Sequence, residues 1–314
     1  GRPHRARRGR DGARAGLTTG AGNCYLTRKH TDGTHMHFGL FSNGQRYNQI
    51  ARDTYQQDLD EIVLADELGM TEAWISEHGS LMTFNAPDQM PCADLLICKA
   101  LSLTKQIKMG PGIRPLPFFH PLQVATDCAV CDHLTDGRYM AGFGLGLGGA
   151  GEPRGKLPGP QREMAHEAVD LILKAWTAPE PFDWNGKYWQ GKNWKIIPKP
   201  FTRPRMDVGM AVSRSDTSAQ LAAEKGFLPL LSWSNTGRYL SGLIKSYLET
   251  ENPADPPSRQ RVRVGKFVYV CDSVAQAKRD LHDADLGSAR NRLDDALDLM
   301  TDLRIELRKA QERA

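Results

Sequence analysis

Long hydrophobic runs are missing from this 314-residue chain. No stretch approaches the ~18 consecutive apolar residues that a membrane-spanning helix requires, and the N-terminus has no apolar segment of the kind a secretory signal carries. A cytoplasmic protein with no membrane partner is the expectation. Cysteine is sparse: six residues (Cys24, Cys92, Cys98, Cys128, Cys131, Cys271) are scattered without the density of a disulfide scaffold, which fits reduced thiols. Cys128 and Cys131 form a CxxC, yet there is no second pair to complete tetrahedral zinc ligation. The run HPLQVATDCAVCDHLTDG places both on one amphipathic helix, where they are expected to pack as small apolar groups, and no metal is expected. A strong excess of one charge is lacking too. The net charge is +4, but residues 1–36 set eight basic side chains against Asp11 and Asp32, so that segment carries +6 and the remainder −2. The basic pI belongs to a Gly/Arg-rich tail with almost no apolar periodicity, expected to be disordered rather than a nucleic-acid recognition arm. Met36 stands directly before the first strand-like run, which sets the tail apart from the fold.

What remains is an ordinary balance of 40% hydrophobic and 25% charged residues, enough for one substantial core. From position 37 short apolar runs alternate with longer helix-period segments, the signature of repeated βα units and a parallel sheet. HFGLFS (37–42), EAWISEH (72–78), KMGPGIRPL (108–116), RYMAGFGLG (138–146), DVGMAV (207–212), LPLLSW (228–233) and RVRVGKFVYV (261–270) read as seven strands. Helices are expected over 53–69, about 93–104, 121–135, 162–176, from 216 onward and near 238–250. Between the fourth and fifth strands, PFDWNGKYWQGKNWKIIPKP is an aromatic excursion whose pairs Asn185-Gly186 and Gln190-Gly191 suggest a hairpin. After Val270 the sequence is polar and helix-prone, with no β-branched run to close an eight-stranded barrel.

The turn between the fifth strand and its helix carries chemistry. Ser213, Arg214, Ser215, Asp216, Thr217 and Ser218 lie where free backbone N–H groups and the positive end of a helix dipole favour an anion, and hydroxyls beside an arginine would bind a phosphate. The same residues also suit plain N-capping by Ser215 or Asp216, so both readings stand. GFGLGLGGAGEPRG has G-x-G-x-G spacing after a strand, but the breaker-rich stretch 148–160 follows in place of the helix that a dinucleotide fingerprint requires, so a loop over a ligand is expected.

AVSRSDTSAQLAAEKGFLPLLSW, EAWISEH, HPLQVATDCAVCDHLTDGRY and WNGKYW, at their intervals, resemble the bacterial luciferase-like flavin-dependent monooxygenases, and most the limonene- or alkane-type members. The resemblance covers about residues 36–290. It implies that the (β/α) units over 37–290 form a TIM barrel of luciferase-like type, while the residues themselves read as lacking its eighth βα unit, with an N-terminal extension at 1–36 and a C-terminal helix at 291–314. It further implies that the Ser213/Arg214/Ser215/Ser218 turn holds the phosphate of FMN, Ser215 and Ser218 matching the hydroxyl contacts. His78 matches the first histidine of the family's Glu-His-His, implicated in proton transfer, while Gly79 stands in place of the second. Leu145 stands where luciferase has an arginine, which would shift phosphate charge onto Arg214.

The activity so implied is a two-component monooxygenase in which reduced FMN from a separate flavin reductase and O2 oxygenate a small apolar substrate. Trp74, Phe84, Phe118, Phe119 and Trp233 are candidate pocket walls, with core packing as the alternative. The same fold houses deazaflavin (F420)-dependent hydride transfer, and a flavin-binding inactive relative or partner subunit is the third reading. Unpaired edges of a seven-stranded barrel are expected to favour a homodimer or a related heterodimer. The apolar stripe Leu293, Ala296, Leu297, Met300, Leu303, Leu307, Ala310 of the last helix would cover part of the gap.

Overall fold

A computed structural model of the chain describes residues 37–42, 50–77, 90–145, 160–179, 181–213, 215–232, 235–266, 268, 271–276 and 279. The tail 1–36, His78, Phe84, the loop 148–159, Arg214, Trp233 and the helix expected at 291–314 lie outside the described residues.

Alternation of strand and helix follows the two periodicities of the sequence. β1 (Gly39–Ser42) leads to α1 (Ala51–Glu67), which buries Thr54, Asp58, Leu59, Ile62, Ala65 and Asp66 at three- and four-residue spacing, one face of a helix. Gly69, in the left-handed region at φ 82°, turns the chain out of α1 and into β2 (Glu72–Ile75). α2 (Ala93–Leu103) follows, then β3 (Lys108–Pro111) and its short continuation β4 (Arg114–Pro115), interrupted by the Gly112-Ile113 kink that the glycines and prolines of this strand foreshadow. α3 (Pro121–Leu134) begins with Pro at its first position, where the missing N–H costs nothing. Beyond it come β5 (Ala141–Gly144) and α4 (Gln161–Thr177).

β6 (Phe182–Asn185) and β7 (Gln190–Trp194) form the expected antiparallel hairpin, but the turn is not a two-residue Asn-Gly one. The Glu167 carboxylate of α4 accepts the backbone N–H groups of Lys187, Tyr188 and Trp189 at 2.9–3.1 Å, which holds residues 186–189 open as a longer loop clasped to α4. Gln190-Gly191 lies inside β7. β8 (Val208–Val212), α5 (Asp216–Glu224), β9 (Leu228–Leu231), α6 (Gly237–Glu249) and β10 (Arg263–Val264) restore the alternation.

All pairings among the barrel strands are parallel. β1-β2-β3 continue through the Met109–Tyr139 bridge into β4-β5-β8-β9-β10, so the described residues supply seven strand positions of a (β/α) barrel, β3 and β4 sharing one. No described strand pairs β10 with β1. The sheet nevertheless curves far enough for Arg263 of β10 to meet Glu72 at the start of β2, through Nε–Oε2 at 2.8 Å and a second Nη2–Oε1 contact. Trp74 fills the interior. A methyl group on Gly209 would come within 2.7 Å of its ring and one on Gly110 within 2.9 Å, so small residues on β3 and β8 make room for the indole. Its burial (6% exposed) favours the core alternative over the pocket wall, inward pleating turning Trp74 into the barrel interior.

Outside the sheet, helices α2, α3 and α4 pack a second layer of core that includes Ile97, Leu101, Val124, Leu171 and Trp176. Cys128 and Cys131 both lie buried in it on α3, Cys128 Sγ 3.7 Å from the Tyr139 hydroxyl, as the apolar reading of the CxxC requires. No grouping of metal-ligating side chains occurs among the described residues, and no described helix is long and apolar enough to cross a membrane.

Candidate active site

Parallel strands place all their C-terminal ends on one rim, the face on which barrels of this type build active sites. Two rim positions hold the residues singled out from the sequence. After β8 the chain passes Ser213 and enters α5 with Ser215 as the N-cap residue, in an extended conformation at φ −148° and ψ 128°. The Asn235 side-chain amide donates to the Ser213 carbonyl at 2.7 Å, fixing the turn from the β9 side.

The capping reading is not what the side chains do. Ser215 makes no side-chain cap bond to α5; its Oγ is in contact with Thr217 Oγ1 and accepts from Arg162 Nη1 at 3.2 Å. The same Nη1 reaches Thr217 Oγ1 at 3.0 Å. With the N-cap hydroxyl turned away, the Asp216 and Thr217 N–H groups at the start of α5 keep their capacity for an external acceptor, while the Ser218 N–H is bonded to the Ser215 carbonyl at 3.1 Å. Two hydroxyls and a guanidinium surround that helix start.

Arg162 is the residue that sequence reasoning missed. It is the second residue of α4, and a basic side chain there opposes the positive end of its own helix dipole. That local conflict is the one signal the sequence carried for it. The structure thus brings together Ser213, Ser215, Thr217, Ser218 and, unforeseen, Arg162 around a single turn. His166, one helical turn beyond Arg162, has its pKa pushed below the ordinary histidine value by burial and by the Arg162 charge, which favours the neutral ring at pH 7.

The second rim position follows β2. Ser76 and Glu77 are buried there, and Glu77 accepts the Ala93 backbone N–H at 3.3 Å, joining the strand end to the start of α2. Across from it, Arg114 of β4 lies over the Phe119 ring, 5.1 Å from its centroid. Phe118 and Phe119 are partly exposed beside this rim and remain available as walls.

Comparison with known proteins agrees with this architecture. A profile of luciferase-like monooxygenases matches residues 36–313. The chain is 26% identical over 269 residues to 2,5-diketocamphane 1,2-monooxygenase 1 of Pseudomonas putida, covering 77% of this chain and 69% of that one. It is likewise 26% identical over 253 residues to the oxygenase component of the flavin-dependent trigonelline monooxygenase of Acinetobacter baylyi, covering 77% and 67%. Among solved structures, the oxygenating constituent of 3,6-diketocamphane monooxygenase from the CAM plasmid of Pseudomonas putida, a type II Baeyer-Villiger monooxygenase in complex with FMN, superposes with a TM-score of 0.67 at 27% identity, covering 82% of this chain and 74% of that one. With the profile spanning most of the chain, this protein belongs to the luciferase-like monooxygenase family.

Proposed function

We propose that this chain is the oxygenase half of a two-component, FMN-dependent monooxygenase acting on a small apolar organic substrate, its reduced FMN delivered by a separate reductase. The observation that carries the reading is the Arg162–Ser215–Thr217 cluster at the start of α5, a phosphate-sized set of donors on the barrel's catalytic rim. Support comes from the FMN-bound relative at 27% identity and from the relative described as an oxygenase component, a term that implies a reductase partner for that protein.

The donor set fits the cofactor's phosphate. Ser215, Thr217 and Ser218 would offer hydroxyls, the start of α5 the Asp216 and Thr217 N–H groups, and Arg162 the charge that Leu145 cannot supply; Arg214, which follows Ser213 in sequence, would add to it. Bound reduced FMN supplies the electrons with which O2 is activated for insertion into the substrate. The chain's own part is to fix the phosphate at one end, to wall the ring and substrate from water with the aromatic rim around Phe118 and Phe119, and to move a proton at the end of β2, where His78 is the proposed acid–base residue.

Mixing the protein with reduced FMN, 18O2 and a panel of cyclic ketones and monoterpenes tests the proposal. Incorporation of one labelled oxygen into an organic product is expected. Hydride transfer from reduced F420 with no label incorporated would overturn it in favour of the deazaflavin reading. FMN binding without turnover of any panel member would count for the inactive-relative reading.

A further inference from the structure

Behind the rim at β2 lies a group of charges whose arithmetic does not balance. Glu77 at the end of β2 (8% exposed), Asp94 in the first turn of α2 (5%) and Arg114 of β4 (4%) are all taken out of water. Arg114 Nη2 lies 2.7 Å from Asp94 Oδ2 and 3.5 Å from Glu77 Oε2, so one guanidinium nitrogen sits between two carboxyl groups. Tyr139, itself fully buried, donates its hydroxyl to Asp94 Oδ1 at 2.8 Å. Among the described residues, the remaining titratable neighbours are Asp127, Cys128 and Cys131 of α3, Cys98 of α2 and Cys92 just before α2. Asp127 approaches Arg114 Nη1 at 3.5 Å but is more than a third exposed to solvent and accepts the Gln123 amide at 2.7 Å. The Cys128 thiol is driven up by burial and contributes no charge at neutral pH.

One buried cation therefore faces two buried carboxyls. Ionising both would leave a full negative charge in a low-dielectric interior, a cost of several kcal/mol that proteins avoid by protonation. Two carboxyls sharing one site raise the pKa of the pair, and the pair titrates as a unit. Burial pushes both Glu77 and Asp94 above the ordinary carboxylate range, with Arg114 pulling each the other way. Arg114 Nε and Asp94 Oδ2 are both buried and have no hydrogen-bond partner among the described residues, Asp94 Oδ2 meeting Arg114 by ion-pair distance alone.

We propose that Glu77 and Asp94 share a single proton at neutral pH, and that Glu77, the member at the end of β2, serves the barrel mouth as a proton-holding positioning residue. Glu77 is two residues beyond Ile75, the last residue of the strand, and His78 follows it in sequence. Release of the proton to a base at the rim breaks the carboxylic O–H bond and leaves its electron pair on the carboxylate. The formal charge of Glu77, Asp94 and Arg114 together then falls from zero to −1, and Arg114 moderates the second negative charge until a proton returns from solvent. The existence of the shared proton is independent of the flavin reading; its use at the rim rests on that reading.

Infrared spectroscopy of the flavin-free protein at pH 7 tests the first half. A carboxylic C=O band that shifts on H/D exchange is expected, and either Glu77→Gln or Asp94→Asn abolishes it, because the remaining carboxyl can ionise against Arg114 alone. Absence of the band in the wild type, or its persistence in both variants, overturns the proposal. Two isosteric variants on different elements keep the test available if one of them fails to fold. The second half is read from the pH profile of FMNH2 reoxidation by O2: Glu77→Gln is expected to lower the rate at least tenfold and to displace the profile, with Glu77→Asp restoring part of both. An unmoved profile would reduce the cluster to a structural one. Failure to bind FMN would sink the proposed function and leave the infrared band in place.

Discussion

Replacing Arg162 by Ala removes the only described guanidinium that touches the Ser215–Thr217 turn, and the consequence separates phosphate recognition from recognition of the rest of the flavin. A charge-assisted hydrogen bond to a phosphate contributes about 1.5–3 kcal/mol when sheltered. Arg162 is exposed, so solvent screening places it at or just under the low end, about 1.4 kcal/mol or tenfold in Kd. Fluorescence-quenching titrations of wild type and Arg162→Ala with FMN and with riboflavin give four constants. The FMN constant is expected to weaken about tenfold and the riboflavin constant to change less than twofold. Raising the ionic strength to 1 M, where the Debye length falls to ~3 Å, should weaken FMN binding to the wild type more than to the variant. Arg162→Lys should fall between, keeping charge but losing the planar fork. Equal losses for the two ligands, or no loss for either, would refute the assignment of this turn to the phosphate.

Ser215→Ala and Ser218→Ala combined are expected to lower FMN affinity further while sparing riboflavin, measured in the same titration. His78→Ala should leave FMN affinity within a few-fold and slow product formation by roughly 10²-fold, read by single-turnover kinetics, since general acid–base groups contribute at least that much. Asp66 accepts the backbone N–H groups of Lys105, Gln106 and Ile107 at 2.8–3.0 Å; burial works against its charge, but these bonds outweigh it and hold its pKa below the ordinary value. Its stabilisation is therefore complete above the unfolded aspartate pKa of about 3.9 and fades as pH falls through the lower folded value. The gap in Tm between wild type and Asp66→Asn should be constant at neutral pH and close in acid. Arg263→Met leaves the part-buried Glu72 unpaired across the barrel and should cost about 2 kcal/mol, or roughly 4–8 °C in Tm; adding Glu72→Gln should recover part of it in a double-mutant cycle.

Most of the frame was legible because both periodicities are strong. The buried stripe of α1 and the paired apolar runs of β8 and β9 coincide with the expected elements to within one to three residues, a normal fraying of boundaries. Ser213, Ser215 and Ser218 were legible for a local reason: a strand, a hydroxyl-rich turn and a helix start lie consecutively in the chain. Arg162 was not, since it arrives from another helix 53 residues away from Ser215, and only its conflict with the α4 dipole hinted at a partner elsewhere. The Glu77–Asp94–Arg114 group was hidden altogether, its three members standing on three elements that only the curvature of the sheet brings together. Trp74 stayed undecided in the sequence because an aromatic at a strand end reads alike as wall or core until the small residues opposite it, Gly110 and Gly209, are placed against its ring.

The central claim, that the turn entering α5 holds the phosphate of FMN, is tested most directly by 31P NMR of FMN bound to the protein. A phosphate gripped by Arg162, the Ser215–Thr217 hydroxyls and the α5 N–H groups should give a resonance displaced from that of free FMN that no longer titrates across neutral pH, and Arg162→Ala should restore part of the titration. A bound-state phosphate that titrates as in free solution, in a complex shown to contain FMN, would contradict it.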